Sequence, residues 1–229
     1  MRYSKDVGFA TVHRNKKISP TLTRQCKRAY EKNKNVFRKE PDQFRIYVYD
    51  NLQRLNNDLQ PEVRGAAGVT QNNGDIQIQS SELLTRLKHL DTTYFPKFLT
   101  HEMTHVFWKN NFNGWKPKWL AEGLAHHIAD TFTWLKKYGY KLSQYGYDHT
   151  ILDYRFMFKK QAVDMNKKIM KHYIWRSFTD YLVEKHSLTN VMDFLYDFYK
   201  NPVRKNYDNL FKTYFNNTEK ELYDEFMMN

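Results

Sequence analysis

Cysteine is almost missing from this chain: among 229 residues, only Cys26 carries a thiol. That excludes an intrachain disulfide and a Cys-rich zinc finger. It suits a reducing cytosol, and equally secretion from an organism that uses few disulfides. Long apolar runs are missing too. No stretch approaches the roughly 20 residues of a membrane-spanning helix, and Met1–Arg14 has no apolar signal core. The compartment stays open, with the cytoplasm favoured and secretion as the alternative. There is no internal repeat and no low-complexity linker. Acidic residues are outnumbered, 25 against 37 Lys and Arg, which leaves a net charge of +12. Such a balance can attract nucleic acid, anionic membranes or acidic polymers. The basic residues are spread rather than blocked, so solubility is the plainer reading. No nucleic-acid-binding motif is present, so nucleic acid is not the expected partner.

What remains is a folded globular chain. Hydrophobic residues make up 41% and charged residues 27%, enough for a sizeable core in one large domain or two small lobes. Aromatics are abundant, with 17 Tyr and 16 Phe. Ser19-Pro20 reads as a helix start, followed by Leu22, Cys26, Ala29 and Tyr30 at helical spacing to about Asn35. Phe44, Ile46 and Val48 alternate with Arg45, Tyr47 and Tyr49, which predicts a strand. Asp50 is placed to cap a short helix carrying Leu52, Leu55 and Leu59. Gly68–Thr70 and Ile76–Gln79 flank an Asn72-Asn73-Gly74 turn and read as two further strands. From Pro96 onward the pattern is helical, over about 96–110, 117–131, 158–185, 188–200 and 218–228. Thr218 and Glu221 have the spacing of a capping box. The expected class is α+β: a small mixed sheet first, a helical half second. We expect a single catalytic unit over 1–229, with a sheet-containing sublobe (1–95) and a helical sublobe (96–229).

The chemistry is concentrated in His101-Glu102-Met103-Thr104-His105. Residues four apart share a helix face, so His101 and His105 can present two imidazoles to one metal ion. Glu102 lies about 100° further round, within reach of a metal-bound water. One Zn²⁺ suits nitrogen and oxygen ligands with an open position. The ion would lower the pKa of that water, and the carboxylate would take the proton. Phe98, Leu99, Val106 and Phe107 would bury the helix around the motif.

Two histidines do not complete a catalytic zinc site. Downstream stands Lys118-Trp119-Leu120-Ala121-Glu122-Gly123-Leu124-Ala125-His126-His127. His-Glu-x-x-His followed by Trp-Leu-x-Glu-Gly-x-Ala resembles the gluzincin metallopeptidases, the zincin-like group of thermolysin and the aminopeptidase N type. It is most similar to their small peptidase MA-like domains. The resemblance spans residues 44–200 and implies that Glu122 is the third zinc ligand. His126 and His127 are competing ligands, and His126 could instead contact the site from outside the metal's own shell. A second helix packed on the first could place that carboxylate, with Gly123 and Ala125 letting the backbones approach. The segment His172-Tyr173-Ile174-Trp175 resembles the family helix that supplies an oxyanion donor, which implies Tyr173, with His172 as its rival. The family's edge strand, which pairs with an extended substrate, would be Gly68–Thr70 or Asp75–Gln79.

Three features depart from the family. Sixteen residues separate His105 from Glu122, slightly fewer than in the aminopeptidase N type. The Gly-x-Met-Glu-Asn motif that holds a free amine is absent, since Gly65-Ala66-Ala67-Gly68-Val69 has no carboxylate. An endopeptidase is therefore expected rather than an exopeptidase. The position four residues after the ligand, where thermolysin-like enzymes carry an Asp, holds His126; whether Asp130, two turns on, does that work is left open by the sequence. Trp134, Tyr138, Tyr140, Tyr145, Tyr147 and Tyr154 form an aromatic stretch, either a substrate-gripping rim or an insertion packed on itself. The expected function is zinc-dependent hydrolysis of a peptide or protein substrate, with Glu102 as general base. The alternatives are a non-hydrolytic, zinc-stabilised binding module and a metalloprotease recruited to nucleic acid.

Overall fold

Ser19 and Pro20 begin α1 (Pro20–Lys34), with the Ser19 hydroxyl accepting from the Leu22 amide at 3.1 Å. In the computed structural model, residues 1–64, 66–88, 90–112, 114, 117–131, 165–200 and 204–228 are described. The architecture is α+β. Two compact units emerge: Met1–Asn111 with Ile128–Thr131, and Phe112–His127 with Phe132–Asn229. The aromatic stretch from Trp134 to Tyr154 lies outside the described residues. No helix among the described residues is long and apolar enough to cross a membrane.

The first unit holds a five-stranded sheet. Its strands are β1 (Tyr3–Asp6), β2 (Ala10–Arg14), β3 (Phe44–Tyr49), β4 (Gly68–Thr70) and β5 (Ile76–Gln79), in the order β1-β2-β3-β5-β4. The central pairings β2–β3 and β3–β5 are parallel, and both edge pairings are antiparallel. Register places Val12, Ile46 and Ile76 side by side, all fully buried. Strand alternation thus puts one apolar row on the helix-covered face. β1 and β2 were not expected, because their Lys, Arg and His positions hide the alternation. Of the two candidate edges, β4 is the real one; β5 sits inside the sheet.

Asp50 does not cap the short helix α2 (Leu52–Asp58). Asn51 does, accepting from the Arg54 amide at 3.0 Å. Asp50 is instead committed to Arg14, 2.6 Å away, a nearly buried guanidinium that also meets Glu82 of α3 (Ser81–Lys88). A buried cation left without a carboxylate would cost more than a cap supplies. The next helix, α4 (Tyr94–Asn111), is buried without a break from Phe98 to Trp108. It packs on α1, where Tyr30 meets Phe107 at 5.2 Å between ring centroids and Asn33 donates to the Thr100 carbonyl. α4 therefore belongs to the same compact unit as the sheet.

The second unit is helical. It comprises most of α5 (Lys118–Ala129), then α6 (Met165–His186), α7 (Leu188–Lys200), α8 (Arg204–Phe215) and α9 (Glu219–Met228). Aromatic rings do the packing. Phe178 touches Trp119 and Tyr223, and Phe194 is surrounded by Phe198, Tyr207, Phe211 and Phe215. Most of these contacts are edge to face, a geometry that stabilises beyond the area it buries. The capping box forms as spaced: the Thr218 amide donates to Glu221 at 2.7 Å, and the Glu221 amide to the Thr218 hydroxyl.

One pH effect follows from the sheet. His13 stacks on Tyr47, and its buried Nε2 has no hydrogen-bond partner among the described residues. Burial, reinforced by Arg45, holds this imidazole below its ordinary value. A depressed His pKa means that the unfolded chain takes up the proton first, so stability falls as pH drops below the unfolded value of about 6.5. His13→Phe keeps the stacking and removes the titration. The melting temperature of this variant should fall less than the wild type's between pH 7.5 and 5.5; parallel curves would refute the assignment.

Candidate metal centre

α4 delivers its histidines as the four-residue spacing dictates. The Nε2 atoms of His101 and His105 lie 3.2 Å apart, with the rings edge to face. Two nitrogens bound at about 2.0–2.1 Å to one tetrahedral zinc ion would stand about 3.3 Å apart. The pair therefore fits a metal. Without one, the same spacing suits a single N–H···N hydrogen bond. Both side chains are largely shielded, 8% and 6% exposed. Leu99, Met103, Val106 and Phe107, on the opposite face of α4, are apolar and buried, which anchors the helix.

Glu102 is also buried, at 8% exposure. Its carboxylate is met by strand β4. The Thr70 hydroxyl sits 2.9 Å from Oε2 and 2.8 Å from the Glu102 carbonyl oxygen. Gly68, two residues before Thr70, leaves the space that the Glu102 side chain fills: a Cβ there would come within 2.8 Å of Glu102 Cγ. The sheet edge and the HExxH helix are thus fitted to each other at this glutamate. Sequence reasoning missed Thr70. Its only signal was its place in a candidate edge strand.

In the second unit, Glu122 and His126 lie one turn apart on α5, and α6 brings His172 to both. His172 Nδ1 is 3.0 Å from His126 Nε2 and 3.6 Å from Glu122 Oε2. Gly123 makes this possible. A Cβ there would stand 2.6 Å from the Trp175 carbonyl and 1.9 Å from the Thr179 hydroxyl, so α5 and α6 touch backbone to backbone. The close approach that Gly123 permits is therefore to α6. His127 turns the other way and meets Asp180 at 2.6 Å, which also holds Arg176. Tyr173 is half-buried on α6, one residue on from His172 and about 100° round the helix. Asp130 ends α5 with φ of 52° and pairs with Lys97 at 3.2 Å, a surface contact rather than a histidine clamp. The carboxylate that orients a histidine is Asp180, and the histidine is His127.

Within the first unit, His101 and His105 offer nitrogen donors suited to a divalent transition metal, with the Glu102 carboxylate next to them in the chain and a sheet edge against it. No protein-family model matches the chain, and no curated protein matches it, so the likeness to gluzincins rests on the two motifs themselves.

Proposed function

We propose that the chain is a zinc-dependent endopeptidase in which His101, His105 and Glu122 hold one metal ion. The observation that carries this reading is the convergence of the two Nε2 atoms at 3.2 Å, with the intervening Glu102 anchored to an edge strand. When bound, zinc would acidify a coordinated water and polarise the scissile carbonyl. Glu102 takes the water's proton as the oxygen adds to the carbonyl carbon. It then hands that proton to the amine nitrogen as the C–N bond breaks. Thr70 keeps the carboxylate in one orientation. β4, short and at the edge of the sheet among the described residues, offers backbone groups to an extended peptide. Tyr173 is the oxyanion donor by resemblance. His172, beside Glu122 and His126, is the competitor favoured by position, and comparing Tyr173→Phe with His172→Gln separates them: the true donor loses kcat with KM little changed.

Metal analysis tests the ligand set. Wild type should carry one zinc per chain, and His101→Ala or His105→Ala should lose it. Glu122→Ala should weaken zinc binding by at least about tenfold more than His126→Ala. The reverse ranking would move the third ligand to His126. The Gly68 contact supplies a separate test. Gly68 has no left-handed backbone, so alanine is tolerated there apart from its collision with Glu102. Gly68→Ala should lower kcat by about 10²-fold with little change in melting temperature, because a displacement near 1 Å costs that much in catalysis. Unchanged kcat would show that Glu102 is not the base.

A further inference from the structure

Away from the histidines, the first unit carries a groove of about 530 Å³ between β1 and the outer face of α1. Lys5 lines it from the strand; Arg24, Lys27, Arg28 and Lys32 line it from the helix, against the single carboxylate of Glu31. All six side chains are exposed. Among the described residues, none of the five cations forms an ion pair. Helical spacing gathers part of the chain's positive charge here: 24, 27, 28 and 32 share one face. Five cations facing one anion in a concave surface focus a field that selects a negatively charged ligand.

We propose that this groove binds an extended acidic segment of a polypeptide. Three observations favour a peptide. β1 is an edge strand with all four residues exposed, so an extended chain can lie along it as strands do in β-augmentation. The lengths agree: four strand residues span about 13 Å, and Arg24 to Lys32 rises about 12 Å along the helix. Among the described residues no aromatic ring lines the groove, whereas single-stranded nucleic acid is gripped by stacking. Its concavity and its lack of a large apolar anchor likewise disfavour a membrane surface. The inference is independent of zinc chemistry, since binding is read without turnover.

The test uses the full chain carrying Glu102→Gln and a fluorescent twelve-residue peptide of alternating Glu and Ser, read by anisotropy. Binding should weaken with salt and vanish for the matching Gln–Ser peptide. Arg24→Gln/Lys27→Gln/Arg28→Gln should raise Kd by about tenfold or more. The single exposed change Lys27→Glu should move it the same way, which guards against a folding defect in the triple variant. Equal affinity in wild type and both variants would overturn the proposal. So would tighter binding, through the same residues, of a twelve-nucleotide single strand or of phosphatidylglycerol vesicles.

Discussion

Glu102→Gln should retain one zinc per chain and lose about 10²–10⁴-fold in peptide hydrolysis, the range expected when a general base is removed. The substitution is nearly isosteric, so the packing against Gly68 survives. The Thr70 hydroxyl can donate to the amide oxygen as it does to the carboxylate, which keeps the side chain in place. The amide cannot take a proton from water. Stability should hold or rise slightly, because a buried charge has been replaced by a neutral group that keeps a hydrogen-bond partner. Zinc content, melting temperature and turnover of an unbiased peptide library read the three parts separately. Full activity with zinc bound would end the general-base assignment. Loss of zinc would show Glu102 to be a ligand and would redraw the centre.

The second large effect is structural. Gly123→Ala should destabilise the chain by about 2–3 kcal/mol, although alanine is the better helix former by about 1 kcal/mol. The reason is the contact between α5 and α6. The new methyl would overlap the Thr179 hydroxyl and press on the Trp175 carbonyl, and a carbonyl cannot rotate away. The helices must part, which loosens the packing of Trp119 on Phe178 and moves Glu122 from His172. A fall of about 5–10 °C in melting temperature is expected for a chain of this size, with weaker zinc binding alongside. Thr179→Ala in the same chain should recover only part of the loss, because the carbonyl contact remains. A melting temperature at or above wild type would mean that α5 and α6 are not in backbone contact.

Some of this was legible from residues alone because the causes are local. The Ser19 cap, the Thr218–Glu221 box and the alternation of β3 and β5 act within a few residues, so short windows of sequence carry them. The His101–His105 pair is of the same kind, set by one turn of helix. Contacts between distant segments were not legible. Thr70 reaches Glu102 across 32 residues, and His172 reaches His126 across 46. Asp50 was drawn from a cap to Arg14, 36 residues earlier, because a buried guanidinium needs its charge met. Which of two candidate strands forms the sheet edge, and which helix Gly123 faces, are likewise outcomes of packing. Local spacing specified the two imidazoles and the glutamate between them. Only the tertiary structure decided what touches that glutamate, because hydrogen bonds and close packing join whatever the fold brings within a few ångströms, however far apart in the chain.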